Sequence, residues 1–163
     1  MIGKVTTLST LLPQSVDSQV ELRLSTAYLI NTDCITELLV EGTTDSEIHY
    51  KFDVYGNKTG EFIFTVNETN AAIQTLSDAT LASPKIALSV FEGVQSFNEV
   101  TGETAVTWNF NAADIVWAEN DSTGAYARIW IMKGGHTVVP YIVDHNIDQI
   151  IDLVDTGTTT TAA

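Results

Sequence analysis

The sequence predicts a mainly β protein with one or two helices, arranged as an antiparallel sandwich or barrel. Three observations carry that expectation. Thr is the commonest residue, 23 of 163, and β-branched side chains favour a pleated strand over a helix. Several runs alternate polar and apolar residues one by one, the period of a half-buried strand. Two segments break that period with apolar residues at three- and four-residue spacing, and each follows a pair of strand-like runs.

Taken in chain order, Met1–Pro13 is polar and then apolar (Leu8, Leu11, Leu12), and reads either as a first strand or as an arm onto a neighbouring subunit. Gln19–Ser25 alternates strictly, Ile35–Glu41 is a short apolar run, and Ser46–Tyr55 places Ile48, Tyr50, Phe52 and Val54 on one face. Gly56–Gly60 then turns the chain into Glu61–Val66, which makes a hairpin. Asn67 or Thr69 can cap a helix carrying Ala72, Ile73 and Leu76, and Ser83-Pro84 stops it. Further strands are expected at Lys85–Phe91, Thr104–Phe110, Asp114–Ala118, Ala125–Met132 and His136–Val143, with Gly134-Gly135 turning the last hairpin. Asp144 is the expected cap of a second helix, whose Ile147, Ile150, Ile151 and Val154 form one stripe opposite Asp148, Asp152 and Asp155. Gly157 is its expected end.

Sliding the chain against itself by 77 residues superimposes these elements without a gap. Ile35–Glu41 then falls on Ala112–Ala118, His49–Tyr55 on Tyr126–Met132, Phe62–Val66 on Val139–Val143, and Asn67 on Asp144. Ile73, Leu76 and Asp78 coincide with Ile150, Leu153 and Asp155. Order, turn position and period agree better than residue identity does, so the chain reads as an internal duplication of strand-strand-strand-helix units. The expected organisation is one β-rich domain over 1–155, with pseudo-repeats 5–78 and 82–155, and a flexible Thr-rich tail over 156–163. A unit of roughly 75 residues is near the limit for a lone core, so the halves are expected to share one.

Composition narrows the function. Seven Lys+Arg against 21 Asp+Glu give a net charge of −14, which argues against nucleic acid or an anionic membrane as partner. One cysteine, Cys34, allows no intramolecular disulfide. No 18-residue apolar run and no apolar N-terminal block occur, so neither a membrane span nor a signal peptide is expected.

Candidate chemistry is sparse. His49, His136 and His145 lack the spacing of a histidine metal site, and neither a GxSxG elbow nor a Gly-rich phosphate loop occurs. Cys34 precedes an apolar run and reads as a small core residue. Glu41, Asp45 and Glu47 cluster at one loop, with Glu119 and Asp121 at the matching loop. These are hard oxygen ligands of the kind calcium takes, without the DxDxDG spacing. No cofactor and no catalytic residue is assigned, and an enzyme is not expected. Trp108, Trp117 and Trp130 all fall on strands of the second half, where they form a core, a subunit contact or a sugar-stacking platform. With Ile147 and Ile151 they are the candidate interface residues.

In style the chain resembles the small structural proteins of tailed-phage virions, such as capsid decoration, neck and tail subunits. The start at Met1-Ile2-Gly3-Lys4, the Thr/Asn/Val-rich strands and the Thr156–Ala163 tail carry that resemblance. It implies a non-enzymatic virion subunit that forms a homo-oligomer, a trimer or hexamer, and binds capsid or tail proteins; no functional residue is carried over. The alternatives are a cytoplasmic location and a glycan- or small-ligand-binding β-sandwich module.

Overall fold

The computed structural model describes residues 2–6, 14–15, 27–40, 45–54, 58–81, 83–94, 96–133 and 137–154. Strand β1 (Ile2–Thr6) pairs antiparallel with β3 (Ala27–Asn31), and β2 (Gln14–Ser15) lies in the connection between them. Next, β4 (Ile35–Val40), β5 (Ser46–Val54) and β6 (Lys58–Val66) form an antiparallel meander that leads into helix α1 (Asn70–Asp78). The second half repeats the pattern. Strands β7 (Lys85–Val90) and β8 (Val106–Asn111) pair, and β9 (Ile115–Asn120), β10 (Ala127–Lys133) and β11 (Thr137–Val143) form a meander leading into α2 (Ile147–Val154).

The strands make a seven-stranded sheet, in the order β1-β3-β9-β10-β11-β7-β8, and a four-stranded sheet, β2-β6-β5-β4. Neither closes into a barrel, so the architecture is sandwich-like. Between the sheets lies an aromatic core that includes Tyr28, Tyr50, Phe52, Phe62, Phe64, Trp117 and Trp130. Trp117 is fully buried there, its ring 4.7 Å from Tyr28 and 5.2 Å from Tyr50. Against the far face of the larger sheet, α2 packs Ile147, Ile150, Ile151 and Val154 onto Ile2, Leu29, Leu88, Ile115 and Ile129.

The two halves share hydrogen bonds as well as element order. Asn31 and Asn111 each end a strand and cap a single-turn 3-10 helix, Thr32–Cys34 and Ala112–Asp114, by accepting from Asp33 N and Ala113 N. The β4–β5 register shifts between Ile35 and Glu37, and the β9–β10 register shifts opposite Ile115 and Trp117, so each meander opens on a bulge at the same place. Asn67 N donates to Thr6 O at 2.8 Å, as Asp144 N does to Ser89 O at 2.8 Å. Beside these bonds Thr6 N donates to the Glu68 carboxylate (2.9 Å to Oε1), while Ser89 N donates to His145 Nε2 (3.1 Å). Different residues thus fill one role: a side-chain acceptor that fixes the end of β1 or β7 to the following helix.

The constant offset of 77 holds only from the second strand of each hairpin onward, where Val66 matches Val143 and Thr69 matches Asn146. Upstream, β4 matches Ile115–Asn120 and not Ala112–Ala118, because Asn31 and Asn111 are 80 residues apart. The β5–β6 hairpin, paired from Ser46↔Val66 to Val54↔Lys58, is longer than β10–β11, paired from Ala127↔Val143 to Lys133↔Thr137, and that difference resets the spacing.

Other boundaries also move. Thr69 caps α1 by accepting from Ala72 N. The cap of α2 is Asn146 and not Asp144: Asn146 Oδ1 accepts from Gln149 N, and Gln149 Oε1 accepts from Asn146 N, both at 2.9 Å. Of the two readings of Met1–Pro13, a first strand or an arm, residues 2–6 follow the first, forming strand β1 in the chain's own sheet. The Ala27–Asn31 strand was not foreseen; its short Ala-Tyr-Leu-Ile run is buried on both faces and shows no alternation. Gln19–Ser25, the 55–57 and Gly134-Gly135 turns, Gly157 and the 156–163 tail lie outside the described residues.

A glycine fits α1 to the sheet. A Cβ on Gly3 would lie 2.5 Å from Leu76 Cδ2, so β1 has no side chain where the helix enters. In the second half Ile86 occupies the position of Gly3, and Leu153, the counterpart of Leu76, is 40% exposed. The same contact is filled once from the helix and once from the strand.

The Glu68 and His145 pair makes stability depend on pH with opposite signs. Burial pushes the Glu68 carboxyl from 4.5 up to about 7, so the folded chain holds that proton more firmly than the unfolded chain. Its contribution is therefore lost as pH rises from about 4.5 through 7. Desolvation lowers His145 below 6.5 despite the neighbouring Asp144, so its contribution is lost as pH falls below 6.5. Urea titrations of Glu68→Gln should show the loss above pH 5 flattened, and those of His145→Gln the loss below pH 6.5 flattened; parallel curves for wild type and both variants would contradict this.

Candidate interaction surface

Among the ionisable groups that sequence reasoning singled out, His49, Glu47, His145, Glu119 and Asp121 are engaged locally. His49 Nε2 lies 2.7 Å from Glu47 Oε1, and its Nδ1 is 3.8 Å from Glu37. His145 holds the end of β7, as described above. Asp121 closes its own turn: burial alone would raise its carboxyl, but Thr123 Oγ1 and the Ala125 and Tyr126 N–H groups donate to it and hold it low. Glu119 is fully buried and pairs with Arg128 directly across the β9–β10 ladder, accepting from Nε at 2.9 Å and also from the terminal guanidinium nitrogen. Among the described residues no three acidic, His or Cys side chains converge as a metal site. Glu41 and His136 lie outside them.

Cys34 is not poised as a nucleophile, because burial pushes its thiol up to about 11 and little thiolate exists at neutral pH. The depression lined by Val94, Arg128, Pro140, Tyr141 and Ile142 is open to solvent and encloses far too little space to hold a small-molecule ligand. No helix among the described residues is long and apolar enough to cross a membrane.

The five candidate interface residues separate into two groups. Trp117, Trp130, Ile147 and Ile151 are buried inside this chain, the tryptophans between the sheets and the isoleucines under α2. Trp108 alone reaches the surface. It is half-buried on β8, donates from Nε1 to Glu92 Oε1 at 2.8 Å, and lies with Tyr141 beneath the Lys133 ammonium.

What remains open is backbone. The outer strands of the two sheets are β1 and β8, and β2 and β4. The end of β1 is bonded by Asn67 N, whereas β4 and β8 have no partner on their outer edges among the described residues. Two of the three exposed large hydrophobic residues among the described residues lie on β4 and β8, Leu39 at 40% and Val106 at 47%. An exposed strand edge is a row of unpaired N–H and C=O groups, and it pairs readily with another chain. Sequence reasoning missed this surface because an edge is a property of strand order. The one signal within reach was the pair of stretches Asn31-Thr32-Asp33-Cys34-Ile35 and Asn111-Ala112-Ala113-Asp114-Ile115, which marks equivalent strand ends at a spacing other than 77.

No protein-family model matches the chain, and no curated protein or solved structure shows significant similarity to it.

Two outcomes follow. Removing one partner of a buried ion pair strands the other charge, so Arg128→Leu should lower the unfolding free energy by about 3–5 kcal/mol, measured by denaturant titration. Acrylamide quenching should reach the Trp108 fraction of the indole emission only, and Trp108→Phe should abolish the quenchable fraction while leaving the emission of Trp117 and Trp130.

Proposed function

We propose that this chain is a non-enzymatic structural subunit that works by homo-oligomerising and joining a larger protein assembly, with a virion as the setting its sequence style favours. A capsid decoration, neck or tail subunit has this role, and a trimer or hexamer is the assembly expected. The observation that supports the reading is that β4 and β8, among the described residues, have unpaired outer edges, each strand bearing an exposed apolar side chain on a strongly acidic chain. Oligomers of identical chains bury such edges by closing them on one another. Recognition through an edge uses main-chain hydrogen bonds and needs no pocket or cofactor.

Light scattering after size exclusion at two ionic strengths tests this. A net charge of −14 per chain opposes association at low salt, where screening is weak. A trimer or hexamer whose mass is the same at both salts is expected, because strand pairing and apolar burial outweigh that repulsion. A monomer at both salts and at tens of micromolar, with no affinity for capsid or tail proteins, overturns the reading.

A further inference from the structure

The chain already contains one joint of the kind its open edges need. The β1–β3 hairpin of the first half does not extend the first meander. It adds to the second meander, with β3 alongside β9 in the antiparallel register Tyr28↔Glu119, Leu29↔Ala118 and Ile30↔Trp117. The corresponding elements of the other half are β8, the second strand of the β7–β8 hairpin, and β4, the first strand of the first meander. Among the described residues neither has a partner on its outer edge, and they belong to different sheets of the same chain.

A single residue marks the joint. Asn31 is buried, and its amide works twice: Oδ1 caps the Thr32–Cys34 turn, while Nδ2 donates across the joint to Ala113 O and Ile115 O, each at 3.0 Å. Asn111 stands at the equivalent place on β8. Its Oδ1 makes the same cap, to Ala113 N at 3.4 Å, but the residue is exposed and its Nδ2 has no protein partner among the described residues. The half of the asparagine that closes a cap is used in both repeats, and the half that joins repeats is used in one.

We propose that β8 of one copy pairs antiparallel with β4 of a second copy, in the register that β3 and β9 use within the chain. Transposed by the 80-residue spacing of Asn31 and Asn111, that register sets Trp108 opposite Leu39, Asn109 opposite Leu38 and Phe110 opposite Glu37 of the next copy. The Asn111 amide then donates to the carbonyls of Asp33 and Ile35 in that copy, as Asn31 does to those of Ala113 and Ile115. The joint is head-to-tail, so each copy uses one edge of each kind. Repeats alternate through the assembly, and it ends only by closing into a ring. This deepens the structural-subunit reading and rests on it.

Three variants of the full chain test the joint by light scattering and cross-linking. Asn111→Asp keeps the cap acceptor and removes the Nδ2 donor, and it should raise the dissociation constant of the oligomer about tenfold. Leu39→Lys with Asn109→Lys changes two exposed edge residues and should give a folded monomer, with far-ultraviolet circular dichroism unchanged. In a Cys34→Ser background, Leu38→Cys with Asn109→Cys should form a ladder of disulfide-linked chains on non-reducing gels, because facing residues of an antiparallel pair lie about 4.5–5.5 Å apart at Cα, within disulfide reach. Leu38→Cys with Thr107→Cys, two residues out of register, should form no such ladder. An oligomer whose mass ignores the edge substitutions and that gives no in-register cross-link overturns the joint while leaving the structural-subunit reading intact. A wild-type monomer overturns the joint, and one that also has no affinity for capsid or tail proteins overturns the structural-subunit reading as well.

Discussion

The fold depends on where β3 goes. Had the first hairpin extended its own meander, the chain would consist of two small units, each near the size at which a lone core fails. Instead β3 lies between β1 and β9, and every residue of that strand is buried. Tyr28 and Ile30 enter the aromatic core between the sheets, while Ala27 and Leu29 face α2. Two polar residues fix the crossing. Asn31 binds the carbonyls of Ala113 and Ile115, and Tyr50 accepts from Asn31 N while donating to Val116 O at the bulge of β9. With its ring fully buried, that hydroxyl is held in its neutral form, as a donor at this bulge must be. The crossing gives the two similar series of elements a shared core.

The same crossing explains why the two helices differ although they occupy equivalent places. Helix α2 buries Ile147, Ile151 and Val154 as well as Ile150, because it covers its own half and also the Ile2, Ala27 and Leu29 face of the invading hairpin. The positions of α1 that correspond to Ile147, Ile151 and Val154 are Asn70, Gln74 and Ser77. Facing them in an assembled joint would be the outer side of β7 and β8, where Lys85, Ala87, Thr107, Asn109 and Asn111 are exposed. The contact made inside the chain is apolar, and its counterpart is polar. A joint that is never open can use hydrophobic residues throughout. One that must meet water before a second copy arrives needs polar side chains around its hydrogen-bonding edge.

How much of this was legible in the sequence follows from which interactions are local. The β5–β6 hairpin, both helices and the strands from Lys85 onward were readable, because turn residues and period are written within a few positions of one another. The offset of 77 was readable too, but only from Val66 and Val143 onward, where no insertion intervenes. Strand Ala27–Asn31 left no alternating trace because both its faces are covered. The role of Glu119 was hidden for a different reason: its partner Arg128 is directly opposite only after the β9–β10 register is fixed, so in sequence it reads as another surface acid. Trp117 and Trp130 read as core, subunit contact or sugar platform, and strand order, not composition, places them inside.

Charge sets the remaining constraint on assembly. At physiological ionic strength the Debye length is about 8 Å, so fixed charges further apart than that contribute little across a joint. What matters is the local balance at the edges. Strand β4 carries Glu37, which sits near His49, and β7 and β8 carry only Lys85 as a formal charge. Strand β8 thus has no formal charge, whereas β4 keeps the Glu37 carboxylate; the exposed acids of the chain include Asp148 and Asp152 of α2. In the proposed head-to-tail joint the uncharged β8 edge would meet β4 with Glu37 as the one carboxylate on either strand, so like-charge repulsion across the paired main chains would be small despite the acidity of the chain.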